Sequence, residues 1–173
     1  QCDLRRLSGY RPWGQVFAIY QDSARCAPEE LPRCVSAQLD LYFQARARYG
    51  EWMERCHLSI EGAELIGCDP ARLEKVHGWG VRSINLTWNH SNDLAGAVGT
   101  DKGLTDLGRV FVREPERLGL HLHVSHLSAR AFRDFARMAE HPPVATPSNS
   151  RPVYPARRTP HDHMFCNHPD PGR

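Results

Sequence analysis

The chain alternates short apolar runs with helix-like stretches, and this alternation limits the folds that it can adopt. The apolar runs are GQVFAIY (14–20), CHLSIEG (56–62), VRSINLTW (81–88), LGLHLHVSH (118–126) and PVATP (143–147). Helix-like sequence separates them at 28–50, 69–80, 104–119 and 128–141. Strands that alternate with helices form parallel sheets with helical crossovers. The sequence therefore predicts an α/β fold with about five consecutive strand units.

Residues that favour helix starts support these boundaries. Asp69 precedes Pro70, while Thr105 and Ser128 each precede a run of apolar residues at helical spacing. Such side chains accept backbone N–H groups that the first helical turn leaves unpaired. Pro115 is different, because a proline inside a helix removes a hydrogen bond and clashes with the preceding turn. We expect the helix at 104–119 to kink or break there.

The length and composition set further bounds. With 173 residues the chain can form one domain, but a complete (β/α)₈ barrel needs about 250. We expect a domain at 1–150 and a poorly ordered tail rich in Pro, Arg and His at 151–173. The net charge of +2 does not indicate a nucleic-acid partner, and no run of about 18 apolar residues indicates a membrane span. The six cysteines show no C-x-x-C pair or secreted-type spacing, so we expect reduced thiols and a cytoplasmic location.

Candidate reactive residues stand at the ends of the apolar runs, where parallel α/β folds place their sites. These residues are Glu61, Trp88, His126 and the residue at position 147. An acid and a histidine delivered by separate strands suit a metal site. The residues alone also allow two other interpretations. His126 could be a core histidine hydrogen-bonded to backbone, and Glu61 could be an acid that caps a turn.

The segment HLHVSHLS (121–128) contains three histidines. Side chains alternate along a strand, so His121 and His123 share a face with Ser125, while His126 lies on the opposite face and ends the run. We therefore predict one functional histidine, His126. His121 and His123 are interpreted as polar residues beside loops.

The motifs SIEG, INLTWNHSNDLA, GLTDLGR, VSHLS and ATPSN, with their spacing, resemble the membrane (renal) dipeptidase family of zinc peptidases. The resemblance covers roughly residues 1–165. It implies a partial (β/α)₈ barrel that lacks the first strand and the last two. It also implies hydrolysis of dipeptides by a water activated at two zinc ions. Glu61 matches the family's bridging glutamate, and His126 matches a ligand of the second zinc.

Departures from the family pattern imply an impaired site. Pro147 stands where the family has a further histidine ligand, and His123 stands where relatives carry an aspartate that orients a ligand. The family's opening H-x-D motif has no match in this sequence. The resemblance places the arginine that binds the substrate carboxylate at Arg158, with Arg157 equally placed. No catalytic side chain is assigned beyond the metal ligands.

Two readings of function remain open. The first is a zinc-dependent dipeptidase whose pocket includes Trp88 and His90, and the alternative is an inactive scaffold. Two other segments are interpreted as non-catalytic: GAVGTDKG (96–103) as a loop over the site, and the tail residues His161, His163, Cys166 and His168 as a solvated set. An open barrel also exposes strand edges and apolar interior surface, so self-association through the edges is expected.

Overall fold

The computed structural model describes residue 6, residues 9–10 and residues 14–145. One four-stranded parallel sheet, with its strands in chain order, forms the centre of this part of the chain. The strands are β1 (Val16–Ile19), β2 (His57–Ile60), β3 (Val81–Asn85) and β4 (His121–His123). Val144, in the fifth predicted run, forms an isolated parallel bridge with His123. The predicted parallel α/β architecture is confirmed, and the described part of the fifth run, residues 143–145, contributes this single bridge.

Helices connect successive strands, as expected for parallel pairing. They are α1 (Leu31–Arg48), α2 (Leu73–Gly78), α3 (Asp106–Arg117) and α4 (Ala129–Ala136). Short 3₁₀ turns occur at Gly50–Met53, Ala63–Ile66 and Pro70–Arg72. Within the described ranges, none of these helices combines the length and the apolar character that crossing a bilayer requires.

The predicted caps are all formed. In each, a side-chain oxygen accepts a backbone N–H two or three residues later: Asp69 from Ala71, Thr105 from Gly108, and Ser128 from Ala131. Each cap satisfies a donor that the first turn leaves without an intrahelical partner. Local sequence alone therefore determines where these helical segments begin.

Helix α3 does not break at Pro115, and that part of the prediction was wrong. The helix continues to Arg117, so Pro115 lies in its last turn. The Pro115 carbonyl accepts the N–H of Leu120 at 2.8 Å, and Gly119 adopts a positive φ of 70° between them. This is the hydrogen bond that closes a Schellman motif. The proline is tolerated because it stands where the helix is already ending.

The helix-facing side of the sheet is apolar. Register aligns one residue from each strand in a single rung, formed by Ile19, Ile60, Ile84 and Leu122. All four side chains are buried. Phe17 has the same orientation as Leu58 beside this rung, and its ring lies 5.6 Å from that of Tyr42 on α1. The main core therefore lies between the sheet and the helices.

The opposite side of the sheet corresponds to the interior of a closed barrel. Its central rung consists of Ala18, Ser59, Ser83 and His121. The expectation that apolar interior surface would face water is not met by the serines and the histidine of this rung. Alternation along each strand places small or polar residues here, because the large apolar ones point towards the helices.

Candidate functional site

The predicted strand-end residues gather at the carboxyl edge of the sheet. Glu61 directly follows β2, Trp88 lies three residues after β3, and His126 lies in the turn after β4. The Glu61 N–H donates a 3.0 Å hydrogen bond to the carbonyl of Ile19, the last residue of β1. Because the strands are parallel, their carboxyl ends share one edge.

Trp88 is the central contact at this edge. Its ring centroid lies 6.1 Å from that of His126 and 6.3 Å from that of His90. A third ring, that of Tyr20 after β1, lies 4.6 Å from it. Trp88 is half-buried and His90 is exposed, whereas His126 is only 6% exposed. The structure therefore brings the predicted pocket residues Trp88 and His90 together with His126.

The backbone of His126 is held from two directions. Its carbonyl accepts the N–H of Val98 at 2.8 Å and the hydroxyl of Thr87 at 3.2 Å. Val98 belongs to the segment 96–103, for which the sequence predicts a loop over the site. The contact agrees with that interpretation, because the loop is bonded to the turn that carries His126.

The other two histidines of HLHVSHLS lie within β4. His121 is exposed, and His123 is half-buried and aligned with Asn85 of β3. Neither stands in the turn beyond the strand, so they differ from His126, which was predicted from its place at the end of the run.

Tyr20 belongs to this edge and was not singled out from the sequence. Burial raises the pKa of its hydroxyl, and the carboxylates of Asp22 and Glu61 raise it further. The signal was present, because Tyr20 ends the run GQVFAIY just as Glu61 follows the run of β2. Tyr20 and Trp88 form an aromatic wall beside Glu61.

Glu64 was also missed; it is a half-buried acid three residues after Glu61. Asn92 donates from its Nδ2 to the Glu64 carboxylate at 2.7 Å, and Ser23 also hydrogen-bonds to it. Burial raises the pKa of Glu64, while these hydrogen bonds and the nearby His90 oppose the rise. A glutamate three residues after a strand-end acid gave no local pattern that separates it from a surface residue.

The loops after β1, β2 and β3 are joined through these side chains. Asp22, after β1, lies 3.7 Å from the imidazole Nε2 of His90, after β3. Glu64, after β2, contacts Ser23 on one side and Asn92 on the other. We call Asp22, Ser23, Glu64, His90 and Asn92 the loop network. It fixes the rim around Glu61 and Trp88.

The described residues do not form a complete metal site. Glu61 and His126 carry oxygen and nitrogen donors that suit zinc. Within residues 6, 9–10 and 14–145, however, no group of three or more His, Cys, Asp or Glu side chains is arranged to hold a metal ion. The other residues considered from the sequence lie outside the described part of the chain: Pro147, Arg157, Arg158, His161, His163, Cys166 and His168.

Sequence comparison identifies one family. The model of the membrane dipeptidase family, peptidase family M19, matches residues 37–167. This region includes the Glu61 and His126 motifs and most of the described sheet.

Two curated relatives are uncharacterised proteins. One, from the pqqA 5′ region of Klebsiella pneumoniae, is 34% identical over 107 residues, which cover 57% of this chain and 40% of the relative. The other, from the PQQ-III 3′ region of Acinetobacter calcoaceticus, is 30% identical over 198 residues, which cover 90% of this chain and 62% of the relative. The chain spans about half the length of these relatives.

Solved structures agree with the fold. The dipeptidase AC, a metallopeptidase of family M19, is 28% identical with a TM-score of 0.82, and the match covers 94% of this chain and 58% of that one. A metallopeptidase from Rhodobacter sphaeroides, liganded with a phosphinate mimic of the dipeptide L-Ala-D-Ala, is 26% identical with a TM-score of 0.80, covering 94% and 60%. The probable dipeptidase PvdM from Pseudomonas aeruginosa, at 21% identity and a TM-score of 0.84, supports the fold alone. The predicted partial barrel is confirmed by these matches.

Proposed function

Because the chain belongs to the membrane dipeptidase family, peptidase family M19, we propose that its site is that of a zinc-dependent dipeptidase and that the 173-residue chain is impaired in this activity. The substrate class is dipeptides. A related metallopeptidase was solved with a phosphinate mimic of the dipeptide L-Ala-D-Ala, which supports this choice.

One observation carries the proposal. Glu61 and His126 match ligand positions of the family and follow β2 and β4, the two strands on either side of β3. Trp88, which follows β3, lies between them along the sheet edge and contacts the His126 ring. A carboxylate and an imidazole at the ends of two strands of one sheet, here separated by one strand, are the donors that a hydrolytic zinc site uses.

The chain's own residues have separate proposed roles. Glu61 and His126 are proposed metal ligands. Trp88 provides an apolar wall for the substrate, His90 stands at the exposed mouth of the pocket, and Arg158 binds the free carboxylate of the dipeptide. Arginine suits that role because its guanidinium binds carboxylates through two parallel hydrogen bonds.

The impairment follows from the ligand set. Two ligands do not hold two zinc ions at the spacing of about 3.5–4 Å that two-metal sites use. Pro147, at a family ligand position, has no side-chain donor. The residues present therefore do not fit the two-zinc centre that the family resemblance implies.

The second candidate function is a non-catalytic scaffold of the same family. It is favoured by the lack of any group of three ligands among the described residues. The two candidates differ in what Glu61 and His126 do: in a scaffold, neither residue affects zinc affinity.

Zinc titration of the purified chain, combined with an L-Ala-D-Ala hydrolysis assay, tests the proposal. We expect weak zinc binding, no measurable turnover, and a further fall in zinc affinity in Glu61→Gln and in His126→Ala. His121→Ala is the matched control, because this histidine is exposed and begins β4, whereas His126 follows the carboxyl end of that strand. Two tightly bound zinc ions with turnover would refute the impairment, and unchanged affinity in both variants would favour the scaffold.

A gain-of-function variant gives an independent test. Pro147→His adds a third ligand, and three protein ligands plus water make a workable zinc site. We expect tighter binding of one zinc ion without full turnover. Calorimetry that shows no gain in zinc affinity would count against the ligand assignment. The cytoplasmic location expected from the cysteine pattern stays a prediction.

A further inference from the structure

Two cysteine thiols lie next to each other where the loop after β1 meets α1. The Sγ atoms of Cys26 and Cys34 are 3.9 Å apart. Cys26 lies in the loop after β1 and Cys34 lies near the start of α1, and both are half-buried. A disulfide bond is about 2.05 Å long, so a small movement of the side chains brings the sulfur atoms to bonding distance.

The surrounding contacts hold both cysteines in place. Gln38 of α1 accepts the Tyr20 N–H at 3.0 Å and donates to the Tyr20 carbonyl at 2.9 Å, which ties the start of the loop to the helix. The N–H of Glu30 donates to the carbonyl of Ala27 at 2.9 Å, which forms a turn just before the helix. The loop is therefore fixed at both ends, and Cys26 faces Cys34 across the turn.

The other two described thiols offer a contrast. Cys56 and Cys68 are buried, at 7% and 4% exposure, and both are free. Burial raises the pKa of the Cys68 thiol to about 12, and burial together with the neighbouring Cys34 also raises the pKa of Cys26, so accessibility is what separates the two pairs of thiols. The nucleophile in thiol–disulfide exchange is the thiolate, and it must also be accessible. Among the described thiols, Cys26 and Cys34 combine accessibility with a neighbouring sulfur.

We propose that Cys26 and Cys34 form a redox site that exchanges with a small-molecule disulfide, such as oxidised glutathione, to give an intramolecular disulfide. One protein thiolate attacks a sulfur of the small disulfide, forms a mixed disulfide and releases one small thiol. The second protein thiolate then attacks the protein sulfur of that mixed disulfide and releases the second small thiol. The protein pair loses two electrons, the small disulfide gains them, and the two protein protons end on the released thiols.

The disulfide would act on the loop that carries part of the loop network. Residues 20–30 include Asp22, which lies 3.7 Å from His90, and Ser23, which contacts Glu64. A bond from Cys26 to Cys34 attaches the middle of this loop covalently to α1. The site would thus restrain the rim near Trp88, and it does not depend on the proposed hydrolysis.

Peptide mapping tests the bond directly. The full chain carrying Cys2→Ser and Cys166→Ser is incubated with oxidised glutathione, free thiols are then alkylated, and the protein is digested with trypsin. Arg25, Arg33 and Arg46 place the two cysteines in separate peptides, 26–33 and 34–46. We expect these two peptides to be linked in most molecules, with Cys56 and Cys68 alkylated only after unfolding. The added variant Cys26→Ser, the matched control, should leave 34–46 unlinked.

Stable glutathione adducts on Cys26 or Cys34 without the 26–34 link would overturn the proposal, as would links to Cys56 or Cys68. A second readout addresses the loop. Native trypsin cleavage after the exposed Arg25 should be several-fold slower in the oxidised chain than in the reduced one. In a Cys26→Ser/Cys34→Ser chain the oxidant should leave this rate unchanged. Equal rates for the oxidised and reduced forms of the parent chain would overturn the restraint on the loop.

Discussion

The Asn92 side chain donates a 2.7 Å hydrogen bond to the Glu64 carboxylate and joins the loop after β3 to the turn after β2, across 28 positions of the chain. The same amide nitrogen donates to the Leu86 carbonyl at 2.7 Å, and its oxygen accepts the N–H groups of Leu94 and Ala95. One half-buried side chain thus fixes three backbone positions and an acid at the rim of the candidate site.

Replacing Asn92 should therefore destabilise the chain more than an ordinary surface change. Asn92→Ala removes all four hydrogen bonds, and we expect the free energy of unfolding to fall by roughly 2–3 kcal/mol. Urea unfolding followed by tryptophan fluorescence measures this loss. The control is Asn89→Ala, an exposed neighbour, which should stay within about 0.5 kcal/mol of the parent. Similar losses in both variants would contradict the role of Asn92.

The raised pKa of Glu64 predicts a pH dependence of stability. Burial raises this pKa above its ordinary value of 4.5, so the folded state holds the proton more tightly than the unfolded state. The stability that Glu64 contributes is fully present below pH 4.5 and is lost as the pH rises through the raised pKa. The glutamine in Glu64→Gln cannot ionise and keeps an acceptor for Asn92. The variant should therefore become more stable relative to the parent as the pH rises through the pKa of Glu64.

Urea unfolding at a series of pH values from about 4 to about 8 compares the two proteins. Glu51→Gln, on an exposed glutamate outside the loop network, serves as the control. If the difference between the Glu64→Gln chain and the parent stays constant over this range, the pKa of Glu64 is not raised.

Replacement by alanine should change the stability of the chain differently at two glycines, Gly62 and Gly78. Gly62 has a φ of +101°, and a Cβ there would meet the Glu64 carboxylate at 2.5 Å. Gly62→Ala should cost about 1–3 kcal/mol because of strain and crowding. Gly78 ends α2 in open space, so Gly78→Ala should be neutral or stabilise by up to about 1 kcal/mol. Thermal unfolding measures both, and a loss in Gly78→Ala as large as that in Gly62→Ala would show that the effect is not specific to position 62.

The proposed self-association involves the edge of β1, the terminal strand of the described sheet. Val16 on this strand is 42% exposed, and a charge on an edge strand opposes pairing with another chain. We expect Val16→Lys to lower the oligomer fraction seen by size-exclusion chromatography with light scattering. Leu41→Lys is the control, since Leu41 is 65% exposed on α1. A monomeric parent chain, or equal loss of oligomer in both variants, would rule out this edge.

Features that depend on a few neighbouring residues were predicted well from the sequence. The caps at Asp69, Thr105 and Ser128 are formed within three residues, so local chemistry is enough to identify them. The strands were predicted for a similar reason, because a short apolar run between two helical segments has few alternatives to forming a buried strand. Pro115 was misjudged because the general penalty for a proline in a helix does not say how near the helix end it stands.

The missed parts of the candidate site depend on distant contacts. Glu64 was overlooked because its partner Asn92 lies 28 residues away, and only the register of β2 and β3 brings them together. Tyr20 gained its importance from Trp88, which is brought close by folding and not by spacing in the chain. The polar rung of Ser59 and Ser83 was missed for a different reason. The prediction of apolar interior surface came from the general packing of closed barrels and not from the residues of these strands.

The two rungs of the sheet separate what holds the fold together from what faces the site. Ile60 and Ile84 lie side by side towards the helices. The residue before each of them, Ser59 and Ser83, points to the opposite side of the sheet. Glu61 and Tyr20 directly follow Ile60 and Ile19, at the carboxyl edge of the sheet. The strands thus hold the sheet together through alternate apolar positions, whereas the candidate ligands Glu61 and His126 stand beyond the strand ends. A lineage can lose ligands one at a time while the sheet remains intact, and a sequence like this one can diverge in activity long before it diverges in shape.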